Sequence, residues 1–285
     1  MSKYISIYRP VNMAFIAMAQ WLCAYFLDPT AQHSGIANGG IYWLMCGTAA
    51  CAAFGYWVND LFDRRRDFIN GGSVSFIHRM DVKLVYIHLL IFILIALCCG
   101  NTLSAWFVGL FITTMLFLFL YSKWLKNVAV VGNVVIALLS FCSILSVYVL
   151  FRDTDLLLII YFALLAAGIT LCREIIKDAE DIEGDRETGA KTLPIVGGLN
   201  AANITVYSII LFLIPVAVVT LYSQQSYFQG VLMYVYYIYC ALFVVLPLFK
   251  VAIDVRYARE KQEYTRLSAV LKYVFFTGIL SILFF

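Results

Sequence analysis

Residues 82–100 read VKLVYIHLLIFILIALCCG, a run in which Lys83 and His88 are the only strongly polar side chains. A helix needs about 20 mostly apolar residues to cross the roughly 30 Å hydrocarbon core of a bilayer. Strands are usually only about 3–10 residues long, so a single strand does not account for this run. The stretch therefore predicts a membrane-spanning α-helix.

Eight similar apolar runs lie before and after this one, which gives the chain nine predicted spans. The spans cover 10–28, 38–60, 82–100, 103–121, 128–150, 155–177, 203–222, 229–252 and 265–285. They occupy most of the 285 residues, so we expect one all-α membrane domain over residues 1–285. Pro215 and Pro247 fall inside spans seven and eight. Neighbouring helices can satisfy the backbone groups that such prolines free.

The composition excludes the other broad classes of protein. Hydrophobic residues make up 63% of the chain and charged residues only 13%, whereas a soluble domain carries roughly 25% charged residues. Soluble, secreted-scaffold and disordered proteins are therefore excluded. The net charge of +3 carries little information, and we expect no nucleic-acid partner.

The positions of the basic residues predict the orientation in the membrane. With the N-terminus in the cytoplasm, 18 of the 20 Lys and Arg residues lie on the cytoplasmic side of the nine spans. Arg152 lies outside and Lys272 lies within the last span. This asymmetry follows the positive-inside rule. It predicts a multi-pass protein of the cell membrane with its N-terminus inside.

Acidic residues cluster at the cytoplasmic ends of spans two and six. Two triads share the spacing i, i+3, i+7: Asp60, Asp63 and Asp67, and Asp178, Asp181 and Asp185. On a helix this spacing places all three side chains on one face. Because each triad follows an even-numbered span, the chain resembles two four-helix units plus a ninth helix. If the units pack around a pseudo-twofold axis, both acidic faces meet at one central cavity.

Six carboxylates at one cavity would repel each other and raise each other's pKa. Mg²⁺ relieves such repulsion, and one or two carboxylates together with substrate phosphates typically hold it. The triads therefore suggest two Mg²⁺ ions that bridge a diphosphate. Nearby basic residues can hold the remaining phosphate oxygens: Lys123, Lys126, Lys177, Arg186 and Lys191. Solvated loops that only anchor the topology would explain the basic residues, but not the repeated acidic spacing.

At these motifs the sequence resembles the UbiA superfamily of intramembrane prenyltransferases. Residues 59–67 read NDLFDRRRD, similar to the family's N-D-x-x-D-x-x-x-D motif. Residues 177–189 read KDAEDIEGDRETG and residues 191–194 read KTLP, similar to the second acidic motif and its T-L-P. Weaker similarities are RPVN at 9–12, YSKWLK at 121–126 and Gly132-Asn133.

The resemblance implies a helical bundle whose central cavity opens laterally to lipid, with Mg²⁺ as cofactor. The implied ligands are Asn59 and Asp63 for one ion and Asp181 and Asp185 for the other, with Asp60, Asp67 and Asp178 as additional or outer ligands. Asp63, Asp181 and Asp185 would take the catalytic role. Arg9 would contact the diphosphate, and Asn12 and Asn133 would be cavity positions.

The reaction implied by the resemblance is ionisation of an allylic prenyl diphosphate, followed by capture of the carbocation by a lipophilic acceptor. The partners would be the prenyl diphosphate, the acceptor and membrane lipids. The second motif is similar to the branch that prenylates geranylgeranylglyceryl phosphate. Aromatic acids of quinone pathways remain alternative acceptors.

One segment departs from the family. After the first motif the family often runs N-x-P-x-R-P, whereas residues 70–79 here read NGGSVSFIHR, which predicts a more flexible loop. This departure leaves open a terpene cyclase that uses no acceptor. A transporter is a further alternative, but transporter carboxylates usually lie near the midplane of the membrane, and these lie at helix ends.

Overall fold

The structure is a computed structural model that describes residues 8–27, 39–70, 76–152, 154–223 and 230–285. Over these residues the chain is a helical bundle, and its only β-type pairing is a single bridge between Val128 and Lys191. Eight helices are long and apolar enough to cross a membrane, and a ninth apolar helix is shorter. The predicted all-α membrane fold is confirmed.

We label the nine apolar helices α1 to α9. They are α1 Pro10–Phe26, α2 Gly40–Phe62, α3 Val82–Leu103, α4 Ala105–Lys123, α5 Val131–Leu150, α6 Leu156–Glu180, α7 Gly198–Ser223, α8 Val231–Val255 and α9 Lys261–Leu280. Short helices at Arg64–Ile69, Ile182–Glu187 and Leu193–Val196 lie between them. The predicted span ends at residues 28, 38 and 229 fall outside the described residues.

Two helices begin earlier than their apolar runs. α7 begins at Gly198, which adopts a positive φ of 77°, and α9 begins at Lys261. In front of α9 the side chains of Glu260 and Glu263 form a reciprocal capping box. Such caps satisfy the free N–H groups of a first turn. A polar first turn can therefore belong to a helix although hydropathy does not detect it.

The helices that lead into the two acidic motifs occupy central positions. α2 packs against α1, α3 and α4, and α6 packs against α5, α7 and α9. Each motif helix is thus surrounded mainly by helices of its own half of the chain. The predicted two units are present, and the ninth helix packs directly on α6.

The starts of odd-numbered helices and the ends of even-numbered helices meet on one side of the bundle. Arg9, before α1, pairs with Asp60 in α2 at 3.1 Å. The Nζ of Lys261, at the start of α9, donates to the carbonyl oxygen of Asn70 at 2.9 Å. We call this side, which carries both acidic motifs, the motif end.

Pro247 changes the geometry of α8 rather than ending it. Residues Ala241–Val245 form a π-helical segment just before the proline. Pro247 has no N–H for the carbonyl oxygen of Phe243, and the hydroxyl of Thr277 on α9 donates to that oxygen at 2.8 Å. The expected help from a neighbouring helix is confirmed here. Pro215, in contrast, lies inside an uninterrupted α7.

Candidate functional site

Both acidic motifs bend at their middle aspartate. Asp63 has φ −90° and ψ 5°, and Asp181 has φ −99° and ψ 15°, so each lies between a long helix and a short one. Their N–H groups still donate to Asn59 and Lys177 four residues earlier, at 3.0 and 2.9 Å. Neither triad therefore lies on one uninterrupted helix, although all three aspartates of the second triad line one cavity. The same bend in both motifs agrees with two related units.

The short helices that follow α2 and α6 pack against each other and join the two motifs. Arg66 of the first pairs with Asp185 of the second, with 2.8 Å between Nε and Oδ1. The N–H of Gly184 donates to Oδ1 of Asn70 at 2.9 Å. A Cβ at Gly184 would lie only 2.5 Å from that oxygen, so the close approach requires glycine here.

A cavity of about 370 Å³ opens between α1, α2, α4, α5, α6 and α9. Ten of the predicted site residues line it: Arg9, Asn12, Asn59, Asp63, Asp67, Lys126, Lys177, Asp178, Asp181 and Asp185. Its wall also includes apolar residues such as Phe15, Leu110, Phe111 and Ile136. The cavity thus combines a charged region at the motif end with apolar walls.

Asp63 lies at the centre of a compact polar cluster. The ammonium group of Lys126 contacts its Oδ1 at 2.5 Å, and the amide of Asn59 donates to its Oδ2 at 2.7 Å. Lys126 also donates to Oδ1 of Asn59 at 3.2 Å, and Arg66 lies 3.5 Å from Asp63. Burial lowers the pKa of Lys126. The cluster therefore brings two cations to the carboxylate of the first motif.

The aspartates of the two motifs influence each other electrostatically. Burial, with the charges of Asp63 and Asp60, raises the pKa of Asp67 to about 6. Burial also raises the pKa of Asp181 and that of Asp185, although Arg66 opposes the rise at both. Ionised carboxylates are disfavoured in such a site unless a cation compensates them. A divalent ion would stabilise the ionised forms.

The available donors fit Mg²⁺ held jointly with a substrate. Over the described residues, no group of three or more His, Cys, Asp or Glu side chains forms a ready metal site. The candidate donors are carboxylate and amide oxygens, which Mg²⁺ prefers, and this ion usually completes its shell with water and substrate phosphates. Neither Asp67 nor Asp181 takes part in an ion pair among the residues described. The carboxylates of Asp67 and Asp181 can therefore bind a metal cation without breaking an ion pair.

Two of the predicted phosphate-binding lysines lie away from the cavity. Lys123, the last residue of α4, is exposed and lies 4.2 Å from the ring centre of Trp124. Lys191 is exposed as well, and its backbone N–H donates to the carbonyl oxygen of Asn127 at 2.9 Å. Neither side chain lines the cavity.

Asp60 and Asn133 lie behind residues that line the cavity. Asp60 pairs with Arg9, whose guanidinium also lies 4.9 Å from the ring centre of Tyr56. The amide of Asn133 donates to Oδ2 of Asp178 at 2.8 Å. Both residues therefore orient charged neighbours of the cavity.

Three further basic side chains line the cavity: Arg66, Arg173 and Lys272. Arg66 belongs to the basic residues that predict the topology, and Lys272 lies within the last predicted span; neither was predicted as a site residue. Lys272 did carry a signal, because an ionisable residue inside a membrane span suggests a functional position. Arg66 carried a weaker signal, since it lies one helical turn after Asp63 within a basic run.

The sequence matches the model of the UbiA prenyltransferase family over residues 14–279. The chain belongs to this family. It is therefore a prenyltransferase, and its apolar helices make it an integral, multi-pass membrane protein. The predicted family and enzyme class are confirmed.

Two curated relatives of this UbiA-family protein carry the same name. This chain is 29% identical over 281 residues to the digeranylgeranylglyceryl phosphate synthase of Methanothermobacter thermautotrophicus, and the alignment covers 95% of this chain and 92% of the relative. It is 35% identical over 227 residues to the synthase of that name from Thermococcus sibiricus, covering 75% and 76%.

Solved structures show the same fold. A structure from a study of digeranylgeranylglyceryl phosphate synthase in membranes has a TM-score of 0.72 at 19% identity, covering 98% of this chain and 97% of the other. A UbiA homologue from Archaeoglobus fulgidus, bound to DMAPP and Mg²⁺, has a TM-score of 0.66 at 16% identity, covering 99% of each chain.

Proposed function

We propose that this UbiA-family protein transfers a geranylgeranyl group from its diphosphate to geranylgeranylglyceryl phosphate, with Mg²⁺ as cofactor. One observation carries the proposal: two acidic motifs from different halves of the chain line the same cavity, whose walls are otherwise largely apolar. A metal-bound diphosphate fits the charged region, and a prenyl chain fits the apolar walls.

The diphosphate would lie at the motif end. The proposed Mg²⁺ ligands are Asn59, Asp63, Asp181 and Asp185, with Asp67 and Asp178 beside them. When bound, Mg²⁺ would supply positive charge against the diphosphate oxygens. Arg9, Lys126 and Lys177 would hold further oxygens, and Arg66 would lie between the motifs.

Positive charge at this place favours departure of the leaving group. As the bond between the allylic carbon and its oxygen breaks, negative charge accumulates on the pyrophosphate, and Lys126 is held close to where it develops. The apolar walls, including Phe15 and Phe111, exclude water from the allylic carbocation. The acceptor's hydroxyl oxygen then forms the new bond to carbon, and its proton passes to the released pyrophosphate.

The names of the relatives support this acceptor. Both relatives named above are digeranylgeranylglyceryl phosphate synthases, and one aligns over 95% of this chain. The bound DMAPP and Mg²⁺ of the Archaeoglobus fulgidus homologue support the donor class and the metal.

We further propose that the motif end faces the cytoplasm, as the distribution of basic residues predicts. The charged head groups of donor and acceptor would then reach the motif end from the water phase, while their chains remain in the apolar region. Cysteine labelling of Arg256→Cys from each side of sealed vesicles tests this orientation, because Arg256 is exposed just beyond the end of α8. Labelling only from the side of the membrane that faced the cell exterior would contradict this orientation.

A transfer assay tests the proposed function. Purified protein in detergent should convert geranylgeranyl diphosphate and geranylgeranylglyceryl phosphate into the diether and pyrophosphate with Mg²⁺, and EDTA should abolish the product. Asp63→Asn and Asp185→Asn should each lower the rate at least about a hundredfold. Asp254→Asn is the matched control, because Asp254 is an exposed acid of α8 away from the cavity.

The same assay separates the alternatives. A hydrocarbon or terpene alcohol formed without acceptor would favour the terpene cyclase. That alternative was based on the atypical sequence of the loop after Asn70. Residues 71–75 of that loop fall outside the described part of the chain. Product only with an aromatic acid would replace the proposed acceptor. Full activity in both variants would contradict the proposed metal ligands.

A further inference from the structure

A second, smaller cavity of about 60 Å³ adjoins the main one. Four residues line both cavities: Ala19, Ile144, Ile169 and Phe275. Ile169 lies twelve residues before Asp181 on α6, which is about 18 Å along the helix axis at roughly 1.5 Å per residue. The shared wall is therefore far from the motif end.

The small cavity lies mainly between α6, α7, α8 and α9, with Ala19 of α1 and Ile144 of α5 at its shared wall, and its surface is mostly apolar. Two hydroxyl groups of its lining residues donate to backbone carbonyl oxygens, Ser281 to Gly278 and Thr220 to Val216, each at 2.7 Å. The π-helical segment of α8 contributes Val244 to the wall. Such π-bulges occur frequently at functional sites.

Phe275 lies at the boundary between the two cavities. It lines both of them and packs against both buried cores of the bundle. Its ring centre lies 6.4 Å from that of Phe15, which lines the main cavity. Truncation of this side chain would remove part of the wall that separates the two cavities.

We propose that the small cavity is a subsite for the far end of the donor's prenyl chain and that Phe275 at its entrance sets the accepted chain length. The inference rests on the proposed function. An apolar cavity of about 150 Å³ accommodates benzene, so 60 Å³ suits the terminal carbons of a chain rather than the tail of a second lipid. Its distance from the motif end agrees with a long donor.

Gly278 provides a way to close this subsite. It lines the small cavity, and a Cβ added there meets no atom within 4 Å. Gly278→Leu would therefore place a side chain into the cavity without a backbone clash, and leucine is also the better helix former. Gly109 on α4 is a matched control, because it is equally open, is exposed and lines neither cavity.

The experiment measures kcat/KM for geranyl, farnesyl, geranylgeranyl and geranylfarnesyl diphosphates with a fixed geranylgeranylglyceryl phosphate acceptor. One methylene in a hydrophobic pocket changes kcat/KM about 10–200-fold. Gly278→Leu should therefore lower the geranylgeranyl-to-geranyl ratio at least about tenfold, while Gly109→Leu leaves it unchanged. Phe275→Ala should shift preference the opposite way, toward donors longer than geranylgeranyl diphosphate.

The outcomes separate this inference from the proposed function. An unchanged donor ratio in both Gly278→Leu and Phe275→Ala, with an active wild-type protein, would overturn the subsite alone. A ratio that changes only when the acceptor is shortened to geranylglyceryl phosphate would assign the cavity to the acceptor and also overturn it. Absence of transfer by the wild type with every donor would instead contradict the proposed function.

Discussion

Replacing Gly184 by alanine would place a methyl group against the side chain of Asn70, at the contact that joins the two acidic motifs. The added Cβ would lie 2.5 Å from Oδ1 and 2.6 Å from Nδ2 of Asn70. These distances are too short for nonbonded atoms, so the Asn70 side chain must rotate away. The hydrogen bond from the Gly184 N–H, now 2.9 Å long, would be lost with that rotation.

The cost follows from these two effects. A net hydrogen bond is worth about 0.5–1.5 kcal/mol, and overpacking costs roughly 1–3 kcal/mol. Because the side chain of Asn70 can move, we expect a total in the lower part of their summed range, about 1.5–3 kcal/mol. Transfer activity should fall further than the loss of folded protein explains, because Asp185 follows Gly184 directly and would shift relative to Asp63.

Thermal unfolding in detergent and the transfer assay together check this prediction. Gly184→Ala should lower the melting temperature by several degrees, at roughly 2–4 °C per kcal/mol. Asn70→Ala removes the side chain that the new methyl group would contact. The loss of stability in the double variant Gly184→Ala/Asn70→Ala should therefore be smaller than the sum of the losses in the two single variants. Gly109→Ala, in open space, should be neutral or slightly stabilising. Strict additivity would refute the proposed contact.

Three further predictions concern charge, protons and helix packing. Lys126→Gln removes the ammonium group beside Asp63, and titration with a non-reacting prenyl thiodiphosphate should show a Kd at least about tenfold higher. Because the pKa of Asp67 is raised to about 6, protons should compete with Mg²⁺ for this carboxylate as the pH falls. The apparent Mg²⁺ affinity should therefore fall between about pH 7 and pH 5, and it should fall less in Asp67→Asn. Thr277→Val removes the hydroxyl that donates to Phe243, and thermal unfolding should show a loss of about 1 kcal/mol.

The spans were predictable because they depend on local patterns, and the meeting of the two motifs followed from the assumption that two related units pack around a pseudo-twofold axis. Nine apolar runs became nine helices, and equal acidic spacing after α2 and α6 indicated two related units. The bend at Asp63 and Asp181 was not predictable, because i, i+3, i+7 spacing fits a straight helix equally well. The bend depends on how the short helices pack against each other.

The sequence pattern also could not predict which lysine after α4 reaches the cavity. Lys123 and Lys126 follow the same span and carry the same charge, yet only Lys126 reaches Asp63. α4 ends at Lys123, and a turn over Leu125–Asn127 then redirects the chain toward the cavity. Hydropathy and charge locate the end of a helix, but the direction of the next side chain depends on that turn.

Arg66 was overlooked for a related reason. Its neighbours Arg64 and Arg65 are basic too, and a basic run after a span is explained by topology alone. Only packing of the two short helices brings Arg66 to 2.8 Å from Asp185 and 3.5 Å from Asp63. Contacts between distant segments are not encoded in local spacing.

The central claim is that carboxylates of both motifs hold one diphosphate through Mg²⁺. Calorimetric titration of geranylgeranyl thiodiphosphate into wild type, Asp63→Asn, Asp185→Asn and the double variant tests it most directly, with Mg²⁺ and with EDTA. We predict tight binding only by wild type with Mg²⁺, and a loss in each single variant nearly as large as in the double one, because such residues act as a unit. Equal binding in EDTA, or wild-type affinity in either single variant, would contradict the claim.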